Sequence, residues 1–305
     1  MEVIIIHSYM RAIGFSEIKN RKELEPIIKN VIDDYDDKKV ISKEDGNTFI
    51  EISKLYSDSL GITVCGEPTA DGTEVIEEYY FPFYLGMGVS TREEIIVEKK
   101  INSDTYCGAC DDVRIGITLI FHIQNISQCI SELERVDSKK IGTSVTFSGL
   151  SIEGTILLPI LKDTVQLKEN KKDSDIRKTL LSAARKGDED AMESLTINDL
   201  DTYTMISKRI REEDVFSIVE TYCMPYGMEC DLYNIMGEIR SYAMEKNVIT
   251  GENICVMTVS CNDLVFDLSI NQMDLVGIPE IGRRFKGVVW LQGAINFARN
   301  REMKY

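Results

Sequence analysis

The stretch from Asp214 to Ala298 constrains this chain more than any other, because it reads as consecutive strands ending in a glycine-punctuated return from Gly277 to Gly293. Val215 to Cys223 leads in, and Tyr233 to Glu245 forms a second strand. Ile254 to Cys261 and Leu264 to Ile270 make a hairpin around Asn262 and Asp263. In the second arm Leu264, Phe266, Leu268 and Ile270 share one face while Asp267 and Ser269 share the other, the alternation of a strand with one buried side. Val288 to Leu291 returns after Gly287. About five strands in about 85 residues, with glycines at the bends, suits a small barrel of the OB type or a β-roll of another topology. The expectation is a β-barrel-like, OB-like domain at 213–305.

At 305 residues the chain exceeds what one core serves, so a second domain is expected upstream. Ser8 to Gly14 reads as a helical turn closed by glycine. Within Asn20 to Asp34, Leu24, Ile27, Ile28, Val31 and Ile32 recur at helical spacing and define one apolar face. Pro26 argues for a start near Lys22 and against a cap at Asn20, since proline is best tolerated in the first turn. Strand patterns follow at Asn47 to Tyr56, Glu74 to Leu85, Glu94 to Ile101, Val113 to Gln124 and Ser144 to Ile160, with a helix at Ser127 to Val136. Strands and helices without regular alternation indicate an α+β domain over 1–165. Asp163 to Ser174 is charge-dense and linker-like. Beyond it Asp175 to Arg185, Glu189 to Leu195 and Asn198 to Arg211 read as a helical connector over 175–212, with Gly187 ending one helix and Asp188 capping the next.

Composition excludes several classes. With 43% hydrophobic and 28% charged residues the chain is an ordinary folded one. Its longest apolar runs, Ile115 to Ile123 and Ile152 to Leu161, fall short of the roughly 20 residues of a membrane span. Residues Met1 to His7 lack the basic and small-residue features of a signal peptide. The eight cysteines follow no framework spacing and several lie in apolar strands, which places the protein in the cytoplasm. A net charge of −16 opposes general polyanion binding. The segment from Gly277 to Tyr305 nevertheless carries six Lys or Arg against two Glu, a basic edge for an anion or for an acidic surface of the same chain.

Three groups are candidate sites. Cys107 and Cys110 form the one Cys-x-x-Cys, a spacing open to metal or redox chemistry, although a zinc site needs four ligands and Asp111 and Asp112 oppose thiol activation. The plainer reading is a turn into the strand from Val113. Tyr79, Tyr80, Phe81, Phe83 and Tyr84 form an aromatic run suited to a core or to an interface with a second copy of the chain. Arg283, Arg284, Lys286 and Trp290 combine forked donors with a large aromatic, the ingredients of single-strand or phosphate recognition, unless Trp290 is simply buried. Familiar catalytic motifs such as the P-loop, Gly-x-Ser-x-Gly and His-Glu-x-x-His are absent from the sequence. No cofactor is indicated.

At Met10 to Ser16, Ala109 to Gly116, Gly282 to Gly287 and Trp290 to Gly293 the chain resembles an uncharacterised family of Gram-positive bacterial proteins known as a domain of unknown function. The resemblance runs from about His7 to the C-terminus. It implies a bacterial cytosolic protein and transfers no activity, cofactor or catalytic residue. The expected function is a non-catalytic binding or adaptor protein that meets a protein partner or a second copy of itself. Single-stranded nucleic-acid or anion binding at the barrel lip, and an enzyme or metal/redox protein using Cys107 and Cys110, are the alternatives.

Overall fold

Asn20 accepts the Glu23 backbone N–H through its side chain, and the Glu23 carboxylate in turn accepts from Asn20 Nδ2 at 2.6 Å and from the Lys19 backbone at 2.7 Å. This reciprocal cap starts helix α1 (Arg21–Asp33) ahead of the point that Pro26 suggested. The cap outweighs the one intrahelical hydrogen bond that a proline lacks. The computed structural model in which this is seen describes residues 7–43, 46–72, 74–99, 105–135, 140–142, 144–160, 176–177, 179–184, 186–209, 215–228 and 230–297. The linker expected at 163–174 lies outside them.

Strands β1 (Asp37–Ser42), β2 (Thr48–Leu55), β3 (Leu60–Pro68) and β4 (Val75–Tyr84) form a four-stranded antiparallel meander. Period-two alternation turns the two sides of β2 toward different helices. Lys54 reaches Asp34 at the end of α1 (2.9 Å), whereas Glu51 reaches the Ser127 backbone in helix α2 (Ile126–Arg135). Sequence pattern missed β1, which is exposed almost throughout, and β3, which is buried for most of its length and so shows little alternation.

The second sheet runs β10 (Tyr222–Pro225), β11 (Leu232–Lys246), β12 (Asn253–Cys261), β13 (Leu264–Asn271), β9 (Ser144–Leu157), β15 (Arg284–Asn296), β7 (Ile117–Ile123), β6 (Tyr106–Asp112), β5 (Ile95–Lys99), β8 (Lys140–Gly142). A short β14 (Leu275–Val276) pairs with β9. Because β11 also pairs with β15, the five strands β11, β12, β13, β9 and β15 close into a barrel. Four of these lie in the stretch expected to hold all five. The fifth, β9, comes from upstream of that stretch and runs parallel to β13. Asn262 and Asp263 both adopt positive φ (49° and 65°), the two-residue turn that suits a hairpin. The barrel interior is tight: a Cβ on Gly154 would lie 2.4 Å from a Phe285 ring carbon.

A 3-10 turn, Ser8–Ile13, lies across β9 and β13 and ends at Gly14, whose φ of 87° is left-handed as expected of a glycine cap. Its carbonyls are taken up by distant side chains. Asn247 Nδ2 donates to Ile13 O (2.9 Å), Thr250 Oγ1 to Gly14 O (2.6 Å) and Ser269 Oγ to Ala12 O (3.3 Å).

Other local expectations need correction. Val215 to Cys223 is a short helix α4 (Val215–Ile218) followed by β10, because Arg284 holds the Phe216 and Val219 carbonyls. The two helices expected from 189 to 211 are one, α3 (Glu189–Arg209). Residues 107–110 lie within β6, and the chain turns instead at 113–116, where Gly116 has a φ of 80°. The molecule is thus mostly β with few helices, an α+β chain containing a closed five-stranded barrel. No helix among the described residues is long and apolar enough to cross a membrane.

Candidate functional site

Register places Lys39 on β1 directly opposite Glu51 on β2. Glu51 is an acid inside an apolar run, Phe49-Ile50-Glu51-Ile52, and the strand carries its carboxylate into the interior, where the residue is 3% exposed. Such burial demands partners. Glu51 Oε2 accepts the Ser127 backbone N–H at 2.8 Å in the first turn of α2, where the helix dipole favours negative charge, and Oε1 accepts from Lys39 Nζ at 3.3 Å. Lys39 also meets Asp37 at 3.1 Å. Burial opposes the Lys39 charge, yet Glu51 and Asp37 outweigh it and hold the ammonium above its ordinary pKa.

These groups line a cleft of about 230 Å³ between the four-stranded sheet and the end of the barrel wall. Asp36, Asp37, Lys39, Glu51, Ser53 and Thr63 supply a polar side, with the Ser53 and Thr63 hydroxyls paired at 2.9 Å. Leu55, Phe83, Leu85 and Ala294 supply an apolar one. Gln124 and Asn125 complete the lining. Asn125 exchanges two hydrogen bonds with the Ile295 backbone (2.9 and 3.0 Å), so the start of α2 is fixed to β15. Gln124 Nε2 donates to the Tyr84 carbonyl at 2.9 Å. Three carboxylates against one ammonium make the lining acidic. The arrangement can orient a small molecule with a donor or cationic head and a short apolar part.

The thiols nearest this region are not activated. Burial, aided by the Glu51 charge, pushes both Cys65 and Cys129 well up from the ordinary thiol range. In the Cys-x-x-Cys segment burial and then Asp112 push Cys110 up to about 12. Cys107 and Cys110 are three positions apart on β6, so they project from opposite faces and are not brought together. No group of three or more metal-ligating side chains occurs among the described residues.

The aromatic run forms the inner end of β4. Phe81, Phe83 and Tyr84 are buried, Tyr79 stacks on Phe81, and the Tyr80 hydroxyl accepts the His7 backbone N–H at 2.9 Å. Only Phe83 of this run lines the cleft. The basic segment is dispersed. Trp290 is buried beneath the His7, Tyr9 and His122 rings, with centroids 4.4 to 5.5 Å away. Arg284 is buried and donates to the Leu158, Val219 and Phe216 carbonyls at 3.1, 2.9 and 2.8 Å. Arg283 pairs with Glu280 at 2.9 Å, and Lys286 lies over the Phe216 ring at 4.7 Å.

Sequence reasoning missed Lys39, Glu51, Ser53 and Thr63. The available signal was Glu51 itself, a charge within the apolar run Phe49-Ile50-Glu51-Ile52. A family model described as a domain of unknown function from an E. rectale gene (DUF3881) matches residues 10–293. No curated protein and no solved structure matches the chain.

Proposed function

Since the chain belongs to DUF3881, a family of unknown function matched over residues 10–293, we propose from its geometry that it is a binding protein holding a small donor-bearing or cationic molecule in the cleft around Glu51. The observation that carries this reading is a carboxylate buried in a part-apolar cleft and oriented by both a lysine and a helix N-terminus. Orientation without an activated nucleophile fits capture better than covalent turnover. The volume corresponds to about seven or eight waters, which suits a metabolite-sized ligand.

Two further features support parts of this reading. The barrel is a three-strand meander, β11-β12-β13, whose last strand runs parallel to β9, with β15 antiparallel to both β9 and β11. We read it as an OB-like barrel in which one strand precedes the meander in the chain. The eight cysteines are all thiols, which supports a cytoplasmic setting. The buried Trp290 and Arg284 favour the cleft over the basic lip as the ligand site.

Native mass spectrometry of the purified protein beside its denatured mass tests the proposal, followed by a thermal-shift screen of small amines and amino acids. Binding that is lost in Glu51→Gln, with the variant still folded, is expected. A folded Glu51→Gln that binds every hit as tightly as the parent protein would refute the assignment to this cleft.

A further inference from the structure

A second place in the molecule brings reactive side chains together away from the cleft. On one edge of β11, β12 and β10 lie end to end. Ser260 opposes Glu238 at the end of β12, and Tyr222 opposes Met236 at the start of β10. Continuing the ladder by one residue sets Cys261 beside Gly237, while Cys223 opposes Ile235. Gly237 and Ile235 have the same parity, so both cysteines project from one face of the sheet. The register thus sets them at neighbouring positions of that face. The Cys261 thiol also donates to the Tyr222 carbonyl at 2.9 Å. The junction is pinned independently, since Thr221 Oγ1 donates to Asn262 Oδ1 at 2.6 Å and accepts the Asn262 N–H at 3.2 Å.

Their environments differ in a useful way. Cys261 is wholly buried, whereas Cys223 is half-buried and open to a small reagent. Two residues along a strand span about 6.8 Å, at the upper end of the Cα separations that a disulfide bridges. The Thr221–Asn262 hydrogen bonds keep the two strand ends together.

We propose that Cys223 and Cys261 form a reversible disulfide, a modification site at which a peroxide joins β10 to the end of β12. Cys223, as thiolate, attacks one peroxide oxygen; the O–O bond breaks, and the hydroxide released takes up the proton that Cys223 gave to solvent. Cys223 is then a sulfenic acid. The Cys261 sulfur attacks the Cys223 sulfur, the S–O bond breaks, and the departing hydroxide leaves with the Cys261 proton as a second water. Two thiols lose two electrons and two protons, and the peroxide is reduced to two waters. A dithiol reductant reverses the bond by exchange. Cys261 is wholly buried while Cys223 is half-buried, which assigns the first attack to Cys223.

The test uses the full chain, native, with stoichiometric hydrogen peroxide, followed by alkylation, digestion without reductant and peptide mass mapping. A Cys223–Cys261 peptide pair is expected, with intact protein lighter by two hydrogen atoms and restored by dithiothreitol. In Cys261→Ala, Cys223 is expected to accumulate as a sulfenic acid that reacts with dimedone. The proposal is overturned if Cys223 is oxidised while Cys261 remains alkylatable after unfolding, or if Cys223 pairs with the exposed Cys230 instead. The mapping on the parent protein decides the matter even if the variant fails to fold.

Discussion

Arg284→Ala removes a buried guanidinium whose three hydrogen bonds to carbonyls tie β15 to Leu158 at the end of β9 and to Phe216 and Val219 around α4. Hydrogen bonds from a charged donor contribute about 1.5 to 3 kcal/mol each, but the sum overstates the loss. Burial disfavours this cation and lowers its pKa from the ordinary arginine value, so its removal recovers part of the desolvation cost. A cleft of about 270 Å³ lined by Pro159, Ile160, Glu220 and Arg284 also admits water to the abandoned carbonyls. The net loss is then about 2 to 3 kcal/mol. Lysine cannot reproduce a fork onto three carbonyls, so Arg284→Lys should recover about 1 kcal/mol of that loss. Urea unfolding monitored by circular dichroism measures the first quantity. Amide hydrogen exchange at residues 216–219 measures the second consequence, release of α4. If Arg284→Ala unfolds within about 0.5 kcal/mol of the parent and exchange at 216–219 is unchanged, the carbonyl clamp is not structural. Nucleic-acid binding at the basic segment is tested with Arg283→Ala, because Arg284→Ala would confound binding with unfolding.

Burial alone would raise the Asp112 pKa, but the hydrogen bond and charge of Arg114 leave it lowered. Its contribution is therefore present above the ordinary carboxylate pKa of about 4 and is lost as pH falls through the lowered value. Asp112→Asn should be destabilised at neutral pH and should flatten the acid limb of a pH–stability curve; an unchanged limb would refute this. Gly154→Ala forces a Cβ to 2.4 Å from the Phe285 ring and should cost about 1 to 3 kcal/mol in denaturant unfolding, with Phe285→Leu as the relieving second change. Oxidation to the Cys223–Cys261 disulfide closes a loop of about 40 residues and should stabilise the fold by up to about 4 kcal/mol, read as a rise in urea midpoint that dithiothreitol abolishes.

Local pattern carried the strands with one buried side and the apolar face of α1, but not the cap at Asn20. The face of β13 and the hairpin turn at Asn262 and Asp263 were legible because alternation and turn chemistry are encoded within a few residues. Pairing between distant strands was not. Nothing local to Ser144–Leu157 announces that it runs parallel to β13, more than a hundred residues later. The basic segment shows the same limit from the other side. Composition identified Arg284 and Trp290 as a group, but their burial depends on Phe216, Val219, His7 and His122, which reach them only through the fold. Glu51 was readable as a misfit in its strand, while its partners Lys39 and Ser127 were set by register and by the docking of α2.

The 3-10 turn at Ser8–Ile13 carries a consequence for biosynthesis. The residues that satisfy its carbonyls, Asn247, Ser269 and Asn271, lie 234 to 260 positions later in the chain. At ribosomal rates of 5 to 20 residues per second, the turn waits on the order of ten to fifty seconds for its partners. During that interval Tyr9, Met10 and Ile13, buried in the finished molecule, have no barrel to enter. The nascent chain therefore carries an apolar segment without its barrel partners until β13 emerges.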